Sequence, residues 1–165
     1  MPITEAMRAA LAELRSRGAV PATAAEAPRV VIDTNVLLDF WVFRDPEALP
    51  LLALLERGAL LALRSPETEE EFAEVIGREV FGLAPDAARG ALESWFSLAA
   101  PAVPACAGVL CRDPLDQKFL DLAAGGGAAY LISKDKLVIK AGRRLRARGI
   151  RALRPPEALR LLGLR

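Results

Sequence analysis

The sequence predicts an α/β fold with a mainly parallel sheet, and three observations support this fold class. Three short apolar runs, at residues 30–32, 59–63 and 129–133, have the continuous pattern of strands that are buried on both faces. Segments with helical patterns separate these runs along the chain. The chain has 165 residues, of which 53% are hydrophobic, and this suits one domain with a substantial core.

The first 28 residues are predicted to be an extension and linker in front of a domain that spans residues 29–165. Residues 3–17 have helical propensity, because Met7, Leu11 and Leu14 recur at roughly helical spacing. Residues 18–28 are rich in Ala and Pro, which is typical of a linker. We expect the order of this extension to depend on a partner.

Within the domain, helix starts are marked by capping residues followed by proline. Ser65 and Pro66 predict one such start, and Asp113 and Pro114 predict another, whose helix ends at the glycines of residues 125–127. The predicted helices cover residues 46–57, 65–81, 85–99, 113–127, 137–148 and 155–162. Residues 150–153 are predicted to form a last strand.

The composition excludes several classes of function. The chain has no histidine, so hydrolytic mechanisms that depend on an imidazole are closed to it. The longest uncharged run, residues 94–111, is interrupted by Pro101, Pro104 and Gly108, so it lacks the continuous apolar pattern of a membrane span of roughly 18 residues. No export signal is evident, so we expect a cytoplasmic protein in which Cys106 and Cys111 are reduced and mostly buried.

Charge is distributed unevenly along the chain, although the net charge is only +1. Residues 134–165 carry eleven Lys and Arg against two acids, whereas the rest of the chain carries eleven against nineteen. An acidic body beside a basic segment suits a protein that binds cations and holds a polyanion next to them. The alternative is that the arginines only solvate two helical faces.

Two candidate site residues follow predicted strands. Asp33 comes directly after the run at residues 30–32, and Asp135 lies just beyond the run at residues 129–133. Ligands of parallel sheets bind at the carboxyl ends of the strands, so both carboxylates are expected to face one crevice. A buried carboxylate is costly unless it is paired or binds a metal. The alternatives are that Asp33 caps the next helix and that Asp135 belongs to a surface turn.

Two further acids lie on predicted helices. Glu71 borders the apolar stripe of its helix, but composition alone cannot choose it over Glu67, Glu70 or Glu74, and a solvated acidic first turn is the alternative. Asp116 flanks the apolar stripe of the helix that begins at Asp113. Its alternative role is to complete the capping turn of that helix.

These carboxylates are the ligands that Mg²⁺ and Mn²⁺ prefer, and three or four of them can hold one or two ions. Such ions lower the pKa of a bound water and offset charge on a phosphate during its transfer. Thr34 and Asn35 would be supporting polar groups. A basic stretch is predicted to hold a nucleic-acid backbone, and its members are Lys140, Arg143, Arg144, Arg146, Arg148 and Arg151.

Over about residues 29–162 the chain resembles PIN-domain proteins of the toxin type found in bacterial toxin–antitoxin pairs. Four segments carry the resemblance, and in this order they form a specific match. They are Val-Ile-Asp-Thr-Asn-Val (31–36), Glu-Glu-Phe-Ala-Glu-Val (70–75), Arg-Asp-Pro-Leu-Asp-Gln-Lys-Phe-Leu (112–120) and Tyr-Leu-Ile-Ser-Lys-Asp-Lys (130–136).

The resemblance implies an αβα sandwich and a Mg²⁺- or Mn²⁺-dependent endoribonuclease that leaves a 5′-phosphate. It places the catalytic, metal-binding acids at Asp33, Glu71, Asp116 and Asp135, with Asn35 in support. It also implies a homodimer that is silenced by a protein antitoxin. Two other interpretations stay open at this point: a catalytically weak PIN-fold module that acts through a protein or RNA partner, and a phosphoacceptor domain with Asp33 as the phosphorylated residue.

Overall fold

A computed structural model of the protein describes residues 2–18, 20–21 and 26–163. Its centre is a five-stranded sheet in which every pair of neighbouring strands is parallel. The strands are β1 (Arg29–Ile32), β2 (Leu61–Arg64), β3 (Ala99–Pro101), β4 (Tyr130–Ile132) and β5 (Arg151–Leu153), and their order in the sheet is β3-β2-β1-β4-β5. The predicted α/β class with a parallel sheet is therefore confirmed.

Helices cover both faces of this sheet. They are α1 (Glu5–Arg17), α2 (Thr34–Trp41), α3 (Leu49–Glu56), α4 (Pro66–Ile76), α5 (Pro85–Leu98), α6 (Gln117–Gly126), α7 (Lys136–Gly142) and α8 (Pro155–Leu161). Short 3₁₀ helices lie at Glu79–Phe81, Pro114–Asp116 and Arg143–Arg148. In the part of the chain that the structure describes, no helix is both long and apolar enough to cross a membrane.

The alternation of side chains along β1 divides the core into two apolar layers. Val30 and Ile32 face the layer that α1 to α5 and α8 cover, whereas Val31 faces the layer that α6 and α7 cover. All three side chains are at most 3% exposed. Because β1 is buried on both faces, it has the continuous apolar sequence that predicted it.

Helix α1 packs on the domain through Met7, Leu11 and Leu14, which are all buried. It contacts α4 and α5, and its residues join the same apolar layer as Val30. The helix is therefore held by the core of its own chain, which corrects the expectation that it needs a partner. The predicted linker falls partly on residues 19 and 22–25, which lie outside the described residues, and the domain boundary at residue 28 stays a prediction.

Several predicted boundaries were wrong. Helix α4 ends at Ile76 rather than Phe81, and Gly77 follows it as the C-cap. The basic helix predicted for residues 137–148 is regular only as far as Gly142 and continues as a 3₁₀ helix. Strand β3 was not predicted, because three residues that end in a proline have no strand pattern of their own.

Close backbone approaches explain two of the glycines. A side chain at Gly142 would place its Cβ 2.5 Å from the Cβ of Ala152 on β5, so only glycine lets the two elements pack this closely. A Cβ at Gly125 would overlap the backbone of Val103 and Ala105, where the segment after β3 crosses the end of α6. The glycines predicted to stop α6 therefore also provide clearance for this segment.

Candidate active site

The candidate site lies where the strand order changes direction. From β1 the chain builds β2 and β3 on one side, and then β4 and β5 on the other side. Ile32 and Ile132 are partners in the register of β1 and β4, and the Asp33 N–H donates to the Ile132 carbonyl at 2.9 Å. Crevices form beyond the carboxyl ends of strands at such a switch point, and this one begins between Asp33 and Ser133.

Asp33 is 4% exposed and its carboxylate is held by two donors. The Ser133 hydroxyl donates to Oδ2 at 2.6 Å, and the Asn35 N–H donates to Oδ1 at 3.3 Å. The predicted capping role of Asp33 at α2 is thus present. Burial raises the pKa of Asp33 against these two hydrogen bonds, and the charges of Glu71 and Asp135 raise it further.

Glu71 is the acid of α4 that contacts the start of α2. It accepts a hydrogen bond from the Thr34 hydroxyl, and its Oε1 lies 2.8 Å from Nζ of Lys118. Glu74 pairs with Arg78, which lies just beyond the end of this helix. Glu71 is thus the glutamate of this helix that contacts α2 and Lys118, and its role as a metal ligand stays a prediction.

Asp135 and Asp116 approach the same place from the other side of β1. The Asp135 carboxylate caps α7 by accepting the Leu137 N–H at 2.7 Å, and its own N–H donates to the Ser133 hydroxyl at 3.0 Å. Asp116 ends the 3₁₀ turn that Asp113 caps. Among the described residues, none forms a hydrogen bond or an ion pair with the Asp116 carboxylate.

Asp116 shows most clearly that the acids form one electrostatic neighbourhood. Its pKa is raised to about 6, first by burial and then by the charges of Asp33, Asp113, Asp135 and Glu71. The charges of Asp116, Asp135 and Asp113 also raise the pKa of Cys111 after burial, which is the largest cause. Four carboxylates from four separate segments of the chain therefore repel one another at this edge of the sheet.

The donor set fits a hard divalent cation in chemistry and in charge. As the side chains stand, however, no three Asp, Glu or Cys side chains in the described residues lie in positions that could hold a metal ion. Asp33, Glu71 and Asp135 each accept a hydrogen bond from a neighbouring donor. Such hydrogen bonds orient carboxylates and are compatible with metal binding.

Two residues of this neighbourhood were missed from the sequence. Ser133 is fully buried and joins Asp33 to the backbone of Asp135, while Lys118 neutralises part of the charge on Glu71. A signal for Ser133 was available, because it follows β4 at the position where Asp33 follows β1. No sequence pattern distinguishes Lys118 from other lysines near a helix start.

The basic stretch does not form a single surface. The Arg148 guanidinium donates to the backbone carbonyls of Cys106 and Ala107, at 3.3 and 2.7 Å, and so anchors the segment after β3. Lys140 and Arg144 line one groove, while Arg143, Arg146 and Arg151 line another. Both cysteines are free, but Cys106 is exposed, so the prediction of mostly buried thiols was wrong for one of them.

Comparison with known proteins identifies a family for this chain. A family profile described as PIN domain matches residues 29–137, which is more than half of the chain and includes all four acids. No curated protein matches the chain. Helix α1 and the whole basic stretch lie outside the matched residues.

Proposed function

The chain belongs to the PIN domain family, whose members are generally nucleases and usually use divalent metal ions, and on this premise we propose that it is a Mg²⁺- or Mn²⁺-dependent endoribonuclease. One observation carries the proposal. Asp33, Glu71, Asp116 and Asp135 come from four segments and share one electrostatic field at the switch point of the sheet. Carboxylates arranged in this way need a cation, and the chain has no histidine to serve a different hydrolytic mechanism.

The four acids would hold the metal, which when bound supplies an acidified water and charge neutralisation at a phosphodiester. The other side chains have positioning roles. Ser133 fixes the orientation of Asp33 through its hydroxyl and the backbone of Asp135 by accepting its N–H. Thr34 and Lys118 fix Glu71. Hydrogen-bonded neighbours of this kind affect metal affinity nearly as strongly as the ligands do.

The proposal extends to the biology of the toxin-type relatives. In this interpretation the protein is the toxin of a cytoplasmic toxin–antitoxin pair, acts as a homodimer and is silenced by a protein antitoxin. These parts rest on the resemblance of the four sequence segments. They are independent of whether the purified chain cleaves RNA.

A second candidate is a PIN-fold binding module with weak catalysis. The contacts of Glu71 favour it, because Lys118 already neutralises this carboxylate and Thr34 donates to it. In such a protein the acids would bind metal too weakly for turnover. The surface of the domain would then act through a protein or RNA partner.

The test is cleavage of a mixed RNA pool by the purified chain in EDTA, Mg²⁺ or Mn²⁺. The wild type is compared with Asp116→Asn, which keeps the shape of the side chain and removes its charge. Asp86→Asn serves as the control, since it removes one exposed acid at the start of α5. We expect metal-dependent cleavage by the wild type and the control, and none by Asp116→Asn.

Two results would reject the nuclease. If the folded wild type leaves the pool intact with every metal, the binding module becomes the better explanation. If Asp116→Asn cleaves at the wild-type rate, the activity does not come from the acidic site. Mapping of the cut ends gives a further check, because the proposed hydrolysis leaves 5′-phosphates.

A further inference from the structure

The basic residues after β4 lie on separate faces, although the sequence places them in one stretch. Arg143 and Arg146 line a groove along β5 together with Arg151 and the acid Glu157. Lys140 and Arg144 line a second groove with Arg112, which comes from the segment before α6. A nucleic acid that follows one of these grooves does not have to contact the other.

The groove that contains Arg112 is small and positively charged. Its volume is about 120 Å³, and no acidic residue lies in its lining, which consists of Leu110, Arg112, Leu137, Lys140, Ala141 and Arg144. Its three cations are exposed. None of the three forms an ion pair or a side-chain hydrogen bond with the residues that the structure describes, so their charge is available to a ligand.

This groove adjoins the acidic site at two points. The Leu137 N–H donates to the Asp135 carboxylate at 2.7 Å, so the lining of the groove touches one of the proposed metal ligands directly. Arg112 directly precedes Asp113, which caps the turn that ends at Asp116. The lining of the groove is therefore continuous, through Leu137 and Arg112, with the two segments that carry Asp135 and Asp116.

The segment that carries Arg112 is held in place from below by α6. The Gln117 side chain accepts the Cys111 N–H at 2.7 Å and donates to the Val109 carbonyl at 2.9 Å. Asp121 accepts the Ala107 N–H at 3.1 Å. Because its backbone is fixed, this segment can present Arg112 to a ligand without first becoming ordered.

We propose that this groove binds the phosphate backbone of the RNA strand next to the scissile bond, through Arg112, Lys140 and Arg144, and that the face of Arg143 and Arg146 does not bind it. Unpaired cations around a shallow groove suit phosphates, which supply most of the affinity for a nucleic acid. Leu110 is 83% exposed at the edge of the groove and offers an apolar surface for a base. The inference rests on the proposed function, because it takes RNA as the substrate of the acidic site.

The test compares two double variants that lose the same charge from the same stretch. One is Lys140→Ala with Arg144→Ala in the groove, and the other is Arg143→Ala with Arg146→Ala on the β5 side. Binding of a labelled single-stranded RNA to the full chain is measured in EDTA by fluorescence anisotropy at several salt concentrations. We expect about tenfold weaker binding for the groove variant at low salt, with a salt slope reduced by about 1.4, since each lost phosphate contact contributes roughly 0.7.

The β5-side variant should stay within about twofold of the wild type, because its two arginines do not contact the RNA in this proposal. Since both double variants have the same net charge, a difference between them reports the position of the lost cations. Arg112→Ala, which lies outside the basic stretch in sequence, should weaken binding in the same direction as the groove variant. Equal losses in both double variants, a loss confined to the β5-side variant, or no RNA binding by the wild type would overturn the proposal.

The experiments test the RNA-binding groove and the nuclease activity separately. Binding in EDTA does not require cleavage, so a loss specific to the groove variant supports the groove even if no metal activates cutting. Conversely, metal-dependent cleavage that both double variants retain at the wild-type rate, with unchanged RNA affinity, rejects the groove and leaves the nuclease in place.

Discussion

Glu69 and Asp33 are equally buried acids near the ends of neighbouring strands, but their surroundings are opposite. Glu69 is 3% exposed and lies between two guanidinium groups, with Oε2 2.6 Å from NH1 of Arg64 and Oε1 2.8 Å from Nε of Arg15. Asp33 is 4% exposed and accepts hydrogen bonds only from a hydroxyl and a backbone N–H in the described structure. Its pKa is raised, chiefly by burial.

The difference separates an acid whose charge is balanced inside the chain from one that we propose as a metal ligand. The charge of Glu69 is balanced inside the chain, and because Arg15 belongs to α1, this ion pair also ties α1 to the domain. The charge of Asp33 is not balanced, and the neighbouring acids add to its cost. Burial alone therefore does not make a carboxylate a candidate ligand, whereas burial without a neighbouring cation makes Asp33 one.

Glu69→Gln should have the largest effect on the fold. It removes the carboxylate that neutralises Arg64, whose side chain is 6% exposed, so we expect a loss of about 3–5 kcal/mol in the free energy of unfolding. Urea denaturation followed by circular dichroism measures this change. Glu70→Gln is the control on the same helix, because its side chain is 61% exposed and its loss should cost at most about 0.5 kcal/mol. Equal effects of the two variants would show that the buried ion pair is not structural.

Ser133→Ala should have the next largest effect, and it acts on the site rather than on the fold. It removes the donor to Asp33 and the acceptor of the Asp135 N–H, so both carboxylates lose their fixed orientation. We expect Mn²⁺ affinity or RNA cleavage to fall about 10- to 100-fold. Calorimetric titration with Mn²⁺ measures this, with Ser97→Ala as the control because its hydroxyl contacts only the exposed Ser94 carbonyl. Unchanged metal affinity in Ser133→Ala would remove Ser133 from the site.

Asp116→Asn should have the smallest of the three effects. It should change how the free energy of unfolding depends on pH, measured in EDTA so that no metal is bound. The folded-state pKa of Asp116 is about 6, above the ordinary 3.8, so its favourable contribution is complete below about pH 4 and is lost as the pH rises through 6. The free energy of unfolding of the Asn variant should therefore equal that of the wild type near pH 4 and exceed it by about 1 kcal/mol at pH 7. This difference is smaller than the full pKa shift would give, because solvent screens a half-exposed group.

Thermal denaturation at both pH values tests this sign. Addition of Mn²⁺ should reverse the order at pH 7, because an ion at about 100 times its Kd stabilises the wild type by roughly 2.7 kcal/mol. A stability difference that does not depend on pH would show that the Asp116 carboxylate lies outside the shared field of the acids.

Most of the fold was predictable because every strand except β3 has a sequence pattern of its own. Strand β1 is buried on both faces and reads as an apolar run, and Ser65 with Pro66 marks the start of α4 in sequence and in structure. The end of α4 was not predictable in the same way. The chain leaves the helix at Gly77, where Met7 of α1 packs so closely that an added Cβ would lie 2.9 Å from its Cγ. That contact joins residues far apart in the sequence.

The site was predictable in its acids but not in their partners. Asp33 and Asp135 follow strands, so the sequence indicates where they lie, and the resemblance singled out Glu71 and Asp116. The contacts of Lys118 with Glu71 and of Arg64 with Glu69 depend on how separate elements pack together. The periodicity of apolar residues, 2 in strands and 3.6 in helices, shows which face of an element is buried but not which element packs on it. The two grooves of the basic stretch also depend on tertiary packing, because another segment completes each of them, with Arg112 in one and Arg151 in the other.

The clearance at Gly125 has a consequence for the comparison of relatives. Any larger residue there would collide with the backbone at Val103 and Ala105, so a homologue without this glycine must route the segment before Arg112 differently. The residue that a homologue has at the position of Gly125 therefore indicates the path of its loop at Val103 and Ala105. It can divide the family into proteins that share the groove geometry described above and proteins whose substrate must approach the acids along another path.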